Sequence, residues 1–340
     1  MPENAVDIGI DLGTSTVIIY QKGKGIVLKE PSVVAVDTRS GAVISVGEEA
    51  FQMLGRTPDR IRALRPLADG VISDYELCEK MIQFFLKKTC GSGLLKPRVA
   101  LCVPSGITDV ESRAVVEAAA SAGARKVYLI EEPVAAAIGA GIDIEKPQGN
   151  MVIDIGGGTA DIAVLSLSGI VQKTSIKTGG EKFDEAIVRY IRDARGVLIG
   201  EKMAEKIKWE IGSVDPDAED KTAVYKGRNL RTGLPCKGEV GRFELRDCLT
   251  ELANQIIWSA QAVMEKTPPE LVGDILVGGV VMTGGGCKLH GLEKLASLRL
   301  KTEARLAENP EECVAIGTGR SFEYLDKLSD GFITSATYRH

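Results

Sequence analysis

Apolar residues in this chain gather in short runs that end on an aspartate and a glycine turn. Val6-Asp7-Ile8-Gly9-Ile10-Asp11 runs into Leu12-Gly13-Thr14-Ser15-Thr16, and Met151-Val152-Ile153-Asp154 runs into Ile155-Gly156-Gly157-Gly158-Thr159-Ala160-Asp161. Such a run, bounded by a turn signal, predicts a buried strand. After the first turn, Thr16–Tyr20, a Lys22-Gly23-Lys24-Gly25 turn and Ile26–Lys29 predict hairpin strands; after the second, Ile162–Leu167, a Ser168-Gly169 turn and Ile170–Ile176 do the same. Helical periods appear over Glu76–Lys88, Glu201–Ile211 and Arg242–Lys266, the last with Phe243, Leu249, Leu252, Ile256 and Val263 on or near one stripe. Gly212 to Gly241 is polar and glycine-rich, and Gly331–His340 is expected to be a tail.

The pattern repeats. Leu129-Ile130-Glu131-Glu132-Pro133 leads into a helix carrying Ala137-Ile138-Gly139-Ala140-Gly141. Leu306-Ala307-Glu308-Asn309-Pro310 leads into one carrying Ala315-Ile316-Gly317-Thr318-Gly319. Proline suits the first turn of a helix in both. Four matched elements in the same order predict a duplicated domain, interrupted by inserts at about 32–75 and 183–242. The 340 residues agree with two domains at roughly 150 residues each.

Composition narrows the chemistry. With 44% apolar residues and 26% charged, the chain can bury real cores. A net charge of −5 argues against nucleic acid as the main partner. No apolar run approaches the ~20 residues of a membrane span, and Met1-Pro2-Glu3-Asn4 does not read as a signal peptide. Seven scattered cysteines, none in a C-x-x-C pair, predict reduced core thiols in a cytosolic protein. His290 and His340 are the only histidines, which leaves almost no room for zinc sites or histidine-based nucleophilic catalysis.

A strand that ends on a carboxylate and a glycine turn can present backbone N–H groups to phosphate oxygens. The aspartate beside it can hold a hydrated Mg²⁺, which prefers carboxylate and phosphate ligands. Two such turns predict a nucleoside triphosphate gripped from both sides. For any single glycine of this set, a tight hairpin is the plain alternative.

The two aspartate turns, Glu131-Glu132-Pro133-Val134-Ala135-Ala136-Ala137-Ile138-Gly139 and Thr283-Gly284-Gly285-Gly286 resemble the actin, heat-shock chaperone and sugar-kinase superfamily, most of all the MreB family of bacterial actins. Gly179–Ile187, Glu205–Gly212 and Gly227–Pro235 extend that resemblance, which covers about Val6 to Leu325. It implies an actin-like α/β ATPase fold of two lobes, each a five-stranded mixed sheet flanked by helices with a small insert subdomain. Lobe I is expected at 1–145 with 311–340, and lobe II at 146–310. The helix from about Pro310 to Leu328 would return to lobe I.

The resemblance also implies roles. Asp11 and Asp154 match the family's phosphate-and-metal aspartates, touching Mg²⁺ through water. Gly13, Thr14, Ser15 and Thr16 match the first phosphate turn; Gly156, Gly157, Gly158 and Thr159 match the second, with Gly180 just beyond. Glu132 matches the residue that orients the attacking water, a task of positioning rather than covalent chemistry. A carboxylate there also favours the helix N-terminus, by ~0.3–1 kcal/mol. Glu205 and Lys208, three apart on one helix face, match a face turned to the adenosine, though an ordinary surface ion pair is the alternative. Gly284, Gly285, Gly286 and Cys287 complete the base side. Ala160 replaces a common hydroxyl residue, and Ser297–Arg305 lacks the usual glycine turn.

In MreB proteins the loop matching Gly91–Pro97 inserts into membrane. Leu94 and Leu95 would do so here, or else fold onto the core. Two leucines supply at most ~3–6 kcal/mol, so a single copy binds weakly and a filament binds by avidity. The resemblance implies a self-assembling ATPase at the inner membrane face that scaffolds cell-wall synthesis. A chaperone-type or non-filamentous nucleotide-binding protein of the same superfamily is the alternative; against the chaperone, no peptide-binding domain follows the last helix.

Overall fold

Strand β1 (Asp7–Leu12) lies at the centre of the first sheet, with Ile8 and Ile10 fully buried. The computed structural model describes residues 6–90, 96–325 and, as backbone, 332–334. β1 pairs antiparallel with β2 (Thr16–Gln21), and β2 with β3 (Gly25–Pro31). An insert follows: β4 (Val34–Asp37), β5 (Val43–Val46), α1 (Glu48–Met53) and β6 (Ile61–Leu64) form a three-stranded sheet with one short helix. A small ribbon of β7 (Leu67–Ala68) and β8 (Val71–Ile72) returns the chain to α2 (Tyr75–Cys90). Then come β9 (Arg98–Val103), α3 (Asp109–Ser121), β10 (Lys126–Glu131) and α4 (Glu132–Gly139). β9 joins β1 and β10 in parallel. α3 opens on a reciprocal cap: Thr108 Oγ1 accepts from the Glu111 N–H, and Glu111 Oε2 accepts from the Thr108 N–H.

The second lobe repeats the order. β11 (Asn150–Ile155), β12 (Ala160–Ser166) and β13 (Gly169–Ile176) form the antiparallel part, and α5 (Gly180–Arg195) follows. Its insert contains β14 (Val197–Leu198), α6 (Glu201–Ile211), β15 (Thr222–Asn229) and β16 (Pro235–Gly241). α7 (Arg242–Lys266) and α8 (Pro269–Gly278) lead to β17 (Val280–Thr283), α9 (Leu292–Leu300) and β18 (Ala304–Leu306). The sheet runs β13-β12-β11-β17-β18, with β11, β17 and β18 parallel. One apolar core lies on each sheet: Phe85, Met81 and Leu101 sit in the first, Phe183, Ile187 and Leu249 in the second.

Four features add to or depart from these expectations. The polar stretch from Gly212 to Gly241 contains the β15–β16 hairpin; Ala223 and Tyr225 point inward while Val224 faces water, and charged outward positions concealed that alternation. The first sheet has six strands, because β19 (Phe332–Thr334), within the expected tail, pairs antiparallel with β10. The expected helix from Pro310 breaks into a 3-10 turn (Pro310–Glu312), α10 (Cys313–Arg320) and a second 3-10 turn (Ser321–Glu323). Ser321 Oγ donates to the Thr318 carbonyl at 2.7 Å, a local bond that competes with helix continuation. Before β18, the missing glycine turn is supplied by Lys301 in the left-handed conformation, φ 55°.

The two repeated helices meet. A Cβ on Gly139 would lie 1.8 Å from the Cys313 carbonyl oxygen, and one on Gly317 would lie 1.7 Å from that of Ala135. Glycine at both positions lets α4 and α10 touch backbone to backbone. α4 also packs on β11 and β12 and α10 on β1 and β2, so the crossing joins the two lobes.

Candidate active site

Between the lobes lies a cavity of about 1070 Å³. The turn after β1 and the turn after β11 face each other across its floor. A Cβ on Gly157 would stand 2.3 Å from Ser15 Oγ, and one on Gly158 would stand 2.5 Å from Thr14 Oγ1. The turns can approach this closely because both positions lack side chains. Gly13, Thr14, Ser15, Thr16, Gly156, Gly157, Gly158 and Thr159 all line the cavity.

Among the carboxylates that line it are Asp11, Glu132 and Asp154, which stand by the two turns. Asp154 is almost fully buried, and its Oδ1 accepts the Thr283 hydroxyl at 2.7 Å. Burial raises its pKa to about 7, against that hydrogen bond and with the charges of Asp11 and Asp161 adding to the rise. Asp11 is raised to about 6 by burial, opposed by the Cys102 thiol, which donates at 3.3 Å. Glu132 begins α4, with Pro133 following in the first turn. Burial, then the charges of Asp161, Asp154 and Asp11, push its carboxyl well above the usual range. Neighbouring Glu131 is paired with Lys173 at 2.6 Å, a contact between the lobes.

The remaining predicted residues divide. Gly180, Glu205, Lys208, Gly284, Gly285 and Gly286 line the cavity. Lys208 is buried and pairs with Asp184 at 2.9 Å rather than with Glu205. Cys287 does not line the cleft: the 3-10 turn Gly285–Lys288 turns its thiol into the core of the second lobe, where Sγ donates to the Gly284 carbonyl at 2.8 Å. Leu94 and Leu95 lie outside the described residues.

Several residues in or behind the cleft wall carried no assignment from sequence. Asp161 on β12 is wholly buried beside Glu132. Glu181 accepts from Ser15 Oγ at 3.1 Å and pairs with Arg65 at 3.3 Å, tying the first turn to α5. At the mouth, Lys202 on α6 donates to the Phe51 carbonyl, its Nζ 3.9 Å from the centroid of the Phe51 ring. These two residues come from the two inserts. Below, Glu311 bridges Lys29 at 2.6 Å and Lys288 at 2.7 Å.

The comparisons agree with this architecture. The family described as MreB/Mbl protein matches residues 5–330. The cell shape-determining protein Mbl of Bacillus subtilis (strain 168) is 52% identical over 325 residues, covering 95% of this chain and 98% of the relative. The cell shape-determining protein MreB of Escherichia coli (strain K12) is 48% identical over 326 residues, covering 94% of each. The crystal structure of MreB5 of Spiroplasma citri bound to AMPPNP superposes with a TM-score of 0.90 at 36% identity, covering 96% of this chain and 98% of that one. With the fold, the duplicated turns and these relatives in agreement, this chain belongs to the MreB/Mbl family of bacterial actin homologues.

Proposed function

We propose that this chain is an ATP-dependent filament-forming protein that assembles at the inner membrane face and scaffolds cell-wall synthesis. The observation that carries this reading is the pair of glycine turns facing each other above buried carboxylates. Backbone N–H groups of both turns suit the phosphates. The donor set also suits a hydrated Mg²⁺. Burial raises Asp11 and Asp154, and the charges of Asp11 and Asp161 raise Asp154 further, so a bound cation would relieve them. No group of three or more His, Cys, Asp or Glu side chains placed to hold a metal occurs among the described residues. Mg²⁺ that takes its other ligands from water and phosphate needs one or two carboxylates. When bound, it would neutralise charge on the phosphate oxygens.

Glu132 faces the same cavity and would orient a water toward the γ-phosphate. The oxygen of that water bonds to phosphorus, the bond to the bridging oxygen of ADP breaks, and the released proton leaves through a phosphate oxygen or Glu132. Gly285, Glu205 and Lys208 would flank the nucleoside. The relative MreB5 was solved with AMPPNP, which supports ATP as the ligand. The names of Mbl and MreB support a role in cell shape. No helix among the described residues is long and apolar enough to cross a membrane; attachment would fall to Leu94 and Leu95.

Sedimentation with liposomes and phosphate release, in Mg-ATP against ADP, tests the reading on wild type and Glu132→Ala. ATP-dependent pelleting with phosphate release in wild type, and pelleting without release in the variant, is the expected result. A protein that turns over ATP yet stays in the supernatant in every nucleotide state overturns the filament.

A further inference from the structure

Among the described residues, two aromatic rings line the cleft, Phe51 and Trp209. Phe51 is covered by the Lys202 ammonium at 3.9 Å. Trp209 stands on α6, where Ala204, Ile207 and Ile211 are buried and Lys202, Glu205, Lys208 and Trp209 line the cavity. Those four follow the spacing of three and four residues that puts side chains on one helix face. The other three are charged. Trp209 is the apolar member, and it is 50% exposed. A single aromatic residue on an outer surface is ordinary, but this one faces the space between two lobes.

Its surroundings suit a flat ring. Lys208 Nζ lies 5.4 Å from the centre of the indole, and Lys288 Nζ lies 5.7 Å from it. Both ammonium groups are anchored elsewhere, Lys208 on Asp184 at 2.9 Å and Lys288 on Glu311 at 2.7 Å. Lys288 ends the 3-10 turn Gly285–Lys288, so the glycine turn and the indole border the same part of the cavity. A Cβ at Gly285 would meet nothing within 4 Å, which leaves that wall open. The slot also adjoins the phosphate end. Lys208 donates to the Gly180 carbonyl at 3.0 Å, and the Gly180 N–H donates to the Gly156 carbonyl of the second turn at 2.9 Å.

We propose that Trp209 is the platform on which the nucleobase stacks, with Lys208 and Lys288 at the edge of the ring. Ammonium groups only donate hydrogen bonds, and they suit the acceptor nitrogens of a base. This rests on the nucleotide reading given above and names the side chain that meets the base. Stacking tolerates any base, because each has a π-face. Trp209 therefore separates a nucleotide from a bare sugar triphosphate, and it does not separate adenine from guanine.

The test compares Mg-ATP and Mg-GTP with Mg-ribose 5-triphosphate, which has no base. Trp209→Ala should weaken ATP and GTP by about 5- to 150-fold, the range of base–aromatic stacking, and leave ribose 5-triphosphate unchanged. Trp209→Phe keeps a ring and should recover most of the loss. Trp209 and Trp258 are the only tryptophans, so in a Trp258→Phe background Trp209 is the single emitter. ATP should quench it, and ribose 5-triphosphate should not. Unmoved emission, unchanged ATP affinity in Trp209→Ala, or equal weakening of all three ligands overturns the inference while nucleotide binding stands. A wild type that binds no ATP overturns both readings.

Discussion

Lys208 and Asp184 form an ion pair inside the second lobe: Nζ lies 2.9 Å from Oδ2, and the side chains are only 9% and 14% exposed. Lys208 also donates to the Gly180 carbonyl at 3.0 Å, so α6 is fastened to the first turn of α5. Removing one partner leaves the other charge buried alone. Lys208→Ala is expected to lower stability by about 3–5 kcal/mol, read as a lower urea midpoint. Loss of ATP affinity without that destabilisation would show that Lys208 acts on the ligand alone.

The same pair sets a pH dependence. Burial raises Asp184 to about 6 from 3.8, despite the opposing pull of Lys208. Between those values the folded state holds a proton that the unfolded state has lost. Stability from this group therefore falls as pH rises from 4 to 6 and is level above. Relative to Asp184→Asn, wild type should lose about 3 kcal/mol of unfolding free energy between pH 4 and pH 7. Urea titrations at several pH values measure it, and parallel curves would refute it.

Glycine substitutions separate contact between the turns from contact with ligand. Gly157→Ala places a Cβ against Ser15 and should force the turns apart, weakening ATP binding at least tenfold. Gly285→Ala meets nothing within 4 Å, so its stability should stay within about 0.5 kcal/mol of wild type. Any loss of nucleotide affinity there arises from the Cβ meeting the ligand. Trp209, half exposed on the cleft wall, supplies a fluorescence signal for both titrations.

The Lys202–Phe51 contact predicts a rate. A cation over an aromatic face contributes ~0.5–2 kcal/mol. Lys202→Met should therefore speed nucleotide release by roughly 2- to 30-fold, in proportion to that energy. Stopped-flow displacement of a fluorescent ATP analogue measures it; an unchanged rate would mean that the mouth opens elsewhere.

The leucine loop gives a prediction independent of the cleft. Leu94→Ser with Leu95→Ser should abolish liposome pelleting while leaving ATP-dependent assembly in solution, since ~3–6 kcal/mol of apolar transfer is removed from each copy. Loss of assembly in solution would assign these leucines to the fold.

What was legible in the sequence follows from distance along the chain. The strands, the glycine turns and α7 carry their signals locally, as period, turn chemistry and apolar stripe, and α7 begins and ends where its stripe does. The β15–β16 hairpin was hidden by outward charge, though Asn229 Oδ1 accepts from the Arg231 and Thr232 N–H groups at 3.0 Å and marks its turn. The burial of Asp161 at the end of the second turn is not visible along the chain, because its partner, the Ser105 N–H, lies 56 residues away. Asp184, likewise, gains its significance only when α6 folds against α5. Cys287 was placed on the cleft by its neighbours in sequence, and the 3-10 turn rotates it away.

The meeting of α4 and α10 at Gly139 and Gly317 works as a bearing. Side chains that interdigitate would have to climb over one another for the lobes to turn, whereas two bare backbones can roll. Resistance to opening then resides in separate contacts across the cleft, such as Lys202–Phe51, Arg65–Glu181 and Lys288–Glu311. A molecule jointed in this way can be tuned by single surface changes far from its axis, and its dwell time shut is set where the ligand enters and leaves.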